Sequence, residues 1–462
     1  MRQMGDAVLS RVIEHIASLP SQPAVGDVRA EAFCRAMREP APEEGQPLDA
    51  LLELLFRDYI PRSFTSSGPG YLAYIPAGGV FPATLADLIS DGVNRYTGIW
   101  QAAPALVQLE ANVLDWFRDW MQFPETTRGL LTTGGSMANF TAIVSARERL
   151  LGSRLRDGVL YTSTEVHHSV MKSAKLAGIL PDRVRQIGVD ADFRLRVPDL
   201  AAAIAEDRTH GLRPFIVVSS AGTTNTGAVD SLDEIAHLCA SEGLWHHVDG
   251  AYGAFFYVVE ELRPLLAGLP RADSLTLDPH KGLFLPYGTG ALLVRDGSAL
   301  RAAHEATAGY MPPSVAEDFY DPSQHGPDLS RGFPGLRVWL AIKLYGSARL
   351  GAAIAEKRQL AMDAAERIGR IPGIVIDAPP QLSLFAFHLE WPSASVEQQN
   401  AATRELLQRV VARQRVMLTG CTIDDGRFLG RVCVLSFRTR QERIDTCVED
   451  VAAAAAEILE RC

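Results

Sequence analysis

Three segments of the chain place residues with reactive or ligand-binding groups at or just after short apolar runs that predict strands. In chain order they are a Thr-Thr-Gly-Gly-Ser turn at residues 132–136, Asp249 after the run 244–248, and Lys281 shortly after the run 274–277. In open α/β sheets, ligands bind outside the carboxyl ends of the strands. We therefore expect the chemistry of this protein at these strand ends.

Lys281 follows Asp278-Pro279-His280 and precedes a glycine. Lysine side chains normally extend into water, so this one is either a surface residue at the end of a strand or an amine held beside a ligand. An amine of the second kind can form a Schiff base with a carbonyl compound. The segment alone favours neither interpretation.

Asp249 ends the run 244–248 and is followed by small residues, including Ala251. Side chains alternate along a strand, so His247 and Asp249 share one face while His246 points the other way. Asp249 is therefore a helix-capping carboxylate, half of a metal-binding pair, or a partner for an organic ligand. The pair lacks the third protein ligand of a catalytic metal site, so we expect no metal.

The glycine turn at Gly134 and Gly135 leads through Ser136 into a helical pattern. Glycine offers no side-chain obstacle, and the free N–H groups at a helix start suit a phosphate. Taken alone, such a sequence is more often only a turn.

The pattern around these residues predicts an α/β protein. Between residues 65 and 345, short apolar runs alternate with helical patterns, as in a parallel sheet. The candidate strands are residues 129–132, 158–162, 214–219, 244–248, 274–277 and 290–294. Ser231 and Glu234 form a predicted capping box for a helix that stops at Gly243 and leads into the Asp249 strand.

The chain divides into three predicted zones. Residues 1–64 mix short helical patterns with proline-rich joints, so they must pack on another surface. Residues 65–345 form the large domain. Residues 346–462 carry helices and strand-like runs at 382–389 and 431–437, which predict a smaller α+β domain.

Composition limits the partners of the chain. Its 462 residues carry a net charge of -10, which argues against nucleic acid or an anionic membrane and leaves a small molecule as the ligand. Apolar stretches are broken well before the ~18 residues of a membrane span, and no apolar signal core is visible, so we expect a cytoplasmic protein. The six scattered cysteines favour neither a disulfide scaffold nor a zinc site.

Taken together and in this order, the three segments resemble the pyridoxal 5'-phosphate (PLP)-dependent group II decarboxylases, the family of aromatic-L-amino-acid, glutamate, histidine and diaminobutyrate decarboxylases. The resemblance covers most of the chain. It is carried by Tyr-Leu-Ala-Tyr-Ile-Pro-Ala at 71–77, the turn 133–136, Glu-Val-His-His-Ser-Val at 165–170, Gly-Thr-Thr at 222–224, His-Val-Asp-Gly-Ala at 247–251, Pro-His-Lys at 279–281, Leu-Ser-Arg-Gly-Phe at 329–333 and Arg431.

The resemblance implies a fold and a set of residue roles. The fold is PLP fold-type I, as in aspartate aminotransferase, in a homodimer with shared active sites whose N-terminal segment packs on the partner. Lys281 would hold PLP as a Schiff base, and Asp249 would pair with the protonated ring nitrogen that makes PLP an electron sink. His167 would lie flat on the ring, and Ala251 would leave room beside it. The other implied cofactor contacts are Gly134, Gly135, Ser136, Thr223, Thr224 and His280.

The implied reaction is decarboxylation of an L-amino acid to an amine and CO2. The alternatives are a carbon–carbon lyase or a decarboxylating aldehyde synthase on the same fold, and a catalytically inactive interaction protein. The implied substrate pocket contains Tyr71, Tyr74, Ile75, Tyr96 and Trp100, partly from the neighbouring subunit. These residues permit an aromatic substrate without requiring one, and the lack of a basic residue in 71–77 disfavours an acidic one.

Asp278 departs from the family pattern, because aromatic-amino-acid members carry asparagine there, next to the phosphate site. A phosphate dianion would repel a carboxylate. Asp278 therefore either turns away or caps a local N–H, in which case the phosphate relies on Ser136 and His280.

Residues 309–326 are rich in Pro, Gly and Asp and predict a loop. By resemblance this loop closes over the site of the partner subunit and presents a tyrosine that protonates the carbon from which CO2 has left. Its position favours Tyr320, with Tyr310 as the second choice. The alternative is that Tyr320 only packs the loop against the core.

Overall fold

The computed structural model describes residues 1–306 and 319–461, and this part of the chain contains eleven strands and fifteen α-helices. The strands are β1 (Arg128–Thr132), β2 (Gly158–Ser163), β3 (Val184–Ile187), β4 (Arg213–Ser220), β5 (Trp245–Asp249), β6 (Ser274–Leu277), β7 (Gly290–Val294), β8 (Ile374–Ala378), β9 (Leu384–Leu389), β10 (Thr419–Thr422) and β11 (Phe428–Cys433). The helices are α1 (Arg2–Ser18), α2 (Glu31–Ala36), α3 (Leu48–Glu53), α4 (Phe81–Val93), α5 (Pro104–Trp120), α6 (Gly135–Leu150), α7 (His168–Leu176), α8 (Val197–Thr209), α9 (Leu232–Glu242), α10 (Pro279–Gly282), α11 (Gly297–His304), α12 (Pro334–Tyr345), α13 (Ser347–Ile368), α14 (Val396–Ala412) and α15 (Gln441–Leu459).

The large domain is built on a seven-stranded sheet in the order β1-β7-β6-β5-β4-β2-β3. Among the strands of this sheet, β7 alone runs in the direction opposite to the other six. Strands β2, β4 and β5 are buried along most or all of their length, because helices cover both faces of the sheet. The predicted α/β fold with a mostly parallel sheet is confirmed, and each of the six candidate strands is present.

Strand β3 was not predicted, because its sequence Val-Arg-Gln-Ile contains no apolar run. It lies at the edge of the sheet and pairs only with β2 among the described strands. An edge strand needs less burial than a central one, so its sequence carries a weaker hydrophobic pattern.

The small domain carries a four-stranded antiparallel sheet in the order β10-β11-β9-β8, with α14 packed on β9 and β11. The predicted runs at 382–389 and 431–437 overlap β9 and β11, although β11 begins and ends earlier than expected. Strand β10, with the sequence Thr-Gly-Cys-Thr, gave no apolar signal.

Helix α9, which leads into β5, ends as predicted but does not begin with the predicted cap at Ser231. Helix α9 ends at Gly243 in the left-handed conformation as expected, but the Ser231 side chain makes no capping hydrogen bond. The predicted capping box is therefore wrong. Asp230 holds this turn instead, accepting hydrogen bonds from the N–H groups of Ser220 at 2.7 Å and Leu195 at 2.8 Å.

No residue of the N-terminal helix α1 is fully buried in this chain. Four of its apolar residues are exposed: Met4, Val8, Leu9 and Ile13. Within the described residues, no helix combines the length and apolar character needed to cross a membrane.

Candidate active site

The residues that the sequence suggests for cofactor binding surround one cavity of about 240 Å³ beyond the carboxyl ends of β4, β5 and β6. The starts of α6, α7 and α10 close its other sides. Its wall includes all ten predicted cofactor-binding residues: Gly134, Gly135, Ser136, His167, Thr223, Thr224, Asp249, Ala251, His280 and Lys281. Parallel strands that end side by side therefore bring together side chains from distant parts of the sequence.

The glycine turn forms one end of the cavity. Gly134 has a φ of +151°, a conformation that residues with a Cβ rarely adopt, and Gly135 is the first residue of α6. A Cβ on Gly135 would lie 3.0 Å from the Cβ of Ala251. Glycine at these two positions therefore keeps side chains away from the helix start, where N–H groups can bind a phosphate.

Asp249 lies on the wall with its carboxylate fixed by two donors. Asn139 in α6 donates to Oδ2 at 2.8 Å, and the N–H of Ala251 donates to Oδ1 at 3.1 Å. The Asn139 carbonyl accepts hydrogen bonds from Nε2 of His247 at 3.0 Å and from the Thr276 hydroxyl at 2.7 Å. These two acceptor contacts orient the amide, so that its N–H₂ group faces Asp249.

The two histidines of β5 point to opposite faces, as predicted. His247 lies with Asp249 on the Asn139 side, while Nε2 of His246 is 2.8 Å from the Ser219 hydroxyl. Burial lowers the pKa of His246 to about 3 and that of His247 to about 4. Both rings are therefore neutral near pH 7 and serve as hydrogen-bonding groups.

His167 caps the start of α7 and also lines the cavity. Its Nδ1 lies 2.7 Å from the hydroxyl of Ser169, which also accepts a hydrogen bond from Asn139 at 3.1 Å. Burial lowers the pKa of His167, while the nearby Asp249 opposes that effect. Asn139 therefore links Asp249, at the end of β5, to His167, at the start of α7, through the hydroxyl of Ser169.

Asn139 was missed in the sequence because it lies inside α6, outside every strand-end segment. A signal was present, since it is a polar residue among the small and apolar residues of a buried helix. Such a position predicts a hydrogen-bonded partner in the core.

Lys281 occupies the side of the cavity formed by α10. Its Nζ lies 3.1 Å from Oδ2 of Asp278, whose side chain is almost fully buried. The amine is therefore held at the cavity wall and does not extend into solvent.

The conserved domain of pyridoxal-dependent decarboxylases matches residues 31–390. The chain belongs to this family. It is 33% identical to the aromatic-L-amino-acid decarboxylase of Bacillus atrophaeus over 99% of this chain and 96% of that protein. Its structure is similar to that of Oryza sativa TDC with PLP and tryptamine (TM-score 0.94, 25% identity, 99% and 98% of the two chains) and to that of the 4-hydroxyphenylacetaldehyde synthase of Rhodiola rosea (TM-score 0.91, 25% identity, the same coverage).

PLP is the cofactor of this decarboxylase, its reaction is the decarboxylation of an amino acid, and the cavity suits PLP chemically. An amine, a carboxylate and an open helix N-terminus line its wall at Lys281, Asp249 and the Gly134 turn. These three groups match the aldehyde, the pyridine nitrogen and the phosphate of PLP. The PLP fold-type I architecture is confirmed by the likeness to these structures.

The five predicted substrate-pocket residues of the decarboxylase do not line this cavity. Tyr71 and Tyr74 stack on each other with ring centroids 6.4 Å apart, and Ile75 packs into the main core. Tyr96 donates to the carbonyl of Leu329, and Trp100 packs on Phe319. The residues 71–77 are nevertheless connected to the rim of the cavity, because Arg431 donates to the carbonyls of both Tyr74 and Thr224.

Tyr320 lies apart from the Lys281 cavity of its own chain. Its ring packs against His325, and its buried hydroxyl has no hydrogen-bond partner among the described residues. Burial raises its pKa well above the usual value, so the phenol is protonated at any physiological pH. Tyr310, the second choice for the same role, lies outside the described residues.

Proposed function

We propose that this decarboxylase converts an aromatic L-amino acid into the corresponding amine and CO2. In the proposed arrangement, Lys281 would hold PLP covalently, Asp249 would pair with its ring nitrogen and His167 would contact the ring. The observation that supports these roles is the shared cavity of the three side chains at the start of α6. When bound, PLP supplies a protonated ring that withdraws electrons from the bond being broken.

Asp249 is suited to keep that ring nitrogen protonated. Two hydrogen bonds fix its carboxylate, and its side chain is buried. At ~4 Å and an effective dielectric constant of ~20, a pair of opposite charges is worth roughly 4 kcal/mol before desolvation. Because hydrogen bonds already fix the Asp249 carboxylate, pairing with the ring nitrogen costs little additional side-chain entropy.

The charges on the wall support an uncharged substrate side chain. Among the lining residues, the acidic side chains are Asp249 and Asp278, and Lys281 is paired with Asp278. Burial lowers the pKa values of His167 and His280, so neither supplies a cation near pH 7. An acidic substrate would therefore meet carboxylates without a free positive partner. The named activity of the Bacillus atrophaeus relative supports an aromatic substrate.

We further propose a homodimer in which Tyr71, Tyr74, Ile75, Tyr96 and Trp100 contribute to the substrate pocket. Tyr74 and Tyr96 are exposed in the single chain, as are three apolar residues on α4: Leu88, Ile89 and Val93. The exposed apolar side of α1 supports packing of residues 1–64 on the partner. Analytical ultracentrifugation tests this directly, and a Leu88→Glu/Ile89→Glu variant should sediment as a monomer and lose activity.

A cytoplasmic location is also proposed. The five described cysteines are free thiols, and three of them are buried. Free thiols are typical of a reducing compartment. Cell fractionation tests this proposal.

A second candidate reaction is oxidative. Similarity to a 4-hydroxyphenylacetaldehyde synthase supports a reaction in which the amino acid, O2 and water yield an aldehyde, CO2, ammonia and hydrogen peroxide. The two reactions release the same CO2 but differ in every other product.

A panel of L-amino acids with added PLP, scored in parallel for CO2, amine, aldehyde and peroxide, tests the proposed function. We expect amine and CO2 in equal amounts from an aromatic amino acid. Turnover of glutamate in preference to aromatic substrates would contradict the proposed substrate class. Aldehyde and peroxide in place of amine would establish the second candidate.

A further inference from the structure

Asp278 adopts neither of the orientations that the sequence suggested. It follows β6 and precedes α10, but its side chain makes no capping hydrogen bond. The side chain is also not turned away, because it lines the Lys281 cavity while 1% exposed. Asp278 is therefore an acidic residue of the cofactor site to which the proposed cofactor contacts assign no role.

Only one of the two carboxylate oxygens of Asp278 has a polar partner among the described residues. Oδ2 lies 3.1 Å from Nζ of Lys281 and 3.6 Å from Nε2 of His280. Oδ1 is buried without a hydrogen-bond partner among the described residues. A buried carboxylate oxygen without a donor is costly, so this arrangement is not explained by stability of the fold.

The same carboxylate lies against the glycine turn. A Cβ built on Gly135 would be 3.2 Å from Oδ2 of Asp278, and one on Gly134 would be 3.7 Å from Cε1 of His280. A phosphate bound by the N–H groups at the start of α6 would therefore be a close neighbour of this negative charge.

Among the described lining residues, Lys281 is the one cation that offsets this negative charge, and its amine is the group that would bond PLP. Lys281 is the ion-pair partner of Asp278, and Asp249 adds a second carboxylate from the end of β5. Burial lowers the pKa values of His167 and His280, which keeps both rings neutral. Arg337, which lies near His280, is already paired with Asp87 at 2.8 Å.

We propose that Asp278 sets the affinity of the site by opposing the phosphate dianion of PLP, so that the covalent bond to Lys281 provides most of the retention of the cofactor. Forms of the cofactor that lack the aldehyde then bind weakly, since they have the phosphate but cannot bond the lysine. The inference rests on the proposed phosphate position at the start of α6.

The test uses two ligands without an aldehyde, pyridoxine 5'-phosphate and pyridoxine, which differ only in the phosphate. Their dissociation constants are measured by calorimetry on the full-length protein freed of cofactor, for the wild type and for Asp278→Asn. We expect Asp278→Asn to bind pyridoxine 5'-phosphate about tenfold more tightly, from removal of one nearby charge. Pyridoxine should bind equally to both proteins.

Two further variants complete the test. Glu165→Gln removes another buried carboxylate, one that does not line the cavity, and should leave both dissociation constants unchanged. Asp278→Ser is the second replacement if Asp278→Asn fails to fold, and it should show the same gain.

The outcomes separate this inference from the proposed residue roles. If pyridoxine 5'-phosphate binds the wild type better than pyridoxine but Asp278→Asn brings no gain, the inference is overturned and the phosphate position stands. An equal gain for pyridoxine also overturns it, since the effect would not involve the phosphate. If pyridoxine 5'-phosphate binds neither protein better than pyridoxine, the turn at Gly134 does not recognise phosphate, and both proposals fall.

Discussion

The side-chain amide of Asn139 donates a 2.8 Å hydrogen bond to Oδ2 of Asp249, across 110 residues of sequence. Asn139→Ala removes this donor and leaves the carboxylate with one fixed partner, the N–H of Ala251. We expect kcat to fall by roughly ten- to a hundredfold, the range seen when outer partners of a site are lost. Covalent PLP, measured by its absorption spectrum, should be retained because Lys281 is unchanged.

Ser145→Ala is the matched control for Asn139→Ala. Ser145 is buried in the same helix, but its hydroxyl donates only to the carbonyl of Thr141. The control should keep wild-type kcat. A normal kcat for Asn139→Ala would show that Asp249 does not depend on this hydrogen bond.

Lys281→Ala should abolish turnover while the protein remains folded. The lysine lies on the cavity wall and is only partly buried, so its loss removes the amine with little expected effect on the core. Borohydride reduction of the wild-type enzyme with PLP, followed by peptide mapping, identifies the modified residue. A label on any other lysine would exclude Lys281 as the covalent site.

Asp249→Ala should still take up PLP through Lys281 but lose most decarboxylation, because an unprotonated ring is a poor electron sink. We expect a loss of two orders of magnitude or more, given the roughly 4 kcal/mol available to such an ion pair. Asp249→Asn, which keeps the shape and the contact with Asn139, is the milder comparison. Near-normal turnover with unchanged PLP affinity in Asp249→Ala would refute the ring-nitrogen role.

The sequence was informative where chemistry coincided with a strand end. Lys281, Asp249 and the Gly134 turn each follow an apolar run, and parallel strand ends must converge at one edge of the sheet. The fold class followed from the same alternation of strands and helices. These properties are local in the sequence, so they can be read without coordinates.

The sequence was silent where a property depends on the packing of distant segments. Asn139 acquires its role only because α6 packs beside β5, 110 residues later in the chain. The orientation of Asp278 depends on the backbone between β6 and α10 and on the position of Lys281. The capping box at Ser231 failed for a similar reason, since Asp230 forms the tertiary hydrogen bonds that fix this turn.

The pH dependence of stability should reflect His388 in the small domain. Hydrogen bonding to Asp377 at 2.6 Å, aided by Glu390, raises the pKa of His388 above its usual value of 6.5. The contribution of His388 to the free energy of unfolding is therefore complete below about pH 6.5, and it disappears as the pH rises through the raised pKa of the folded protein. His388→Gln should cost roughly 1–2 kcal/mol at pH 6 and clearly less at pH 9.

Thermal unfolding of both proteins across pH 6–9 checks this prediction. His304 provides the opposite case, because burial lowers its pKa. The contribution of His304 should therefore decline as the pH falls, so a His304→Gln variant should not reproduce the pattern. A pH-independent difference between wild type and His388→Gln would show that the ion pair with Asp377 does not form.

Tyr320, acting in the site of the partner subunit, is the proposed acid that protonates the product carbon. The Tyr320 hydroxyl is buried without a hydrogen-bond partner among the described residues, so Tyr320→Phe should fold at least as stably as the wild type. If the phenol is the acid, the variant should release CO2 but form aldehyde, ammonia and peroxide at the expense of amine, because O2 reacts before protonation. CO2, amine and aldehyde are measured together, with Tyr310→Phe in parallel. Wild-type amine formation by Tyr320→Phe would assign it to packing against His325, and an aldehyde product from Tyr310→Phe would transfer the role to Tyr310.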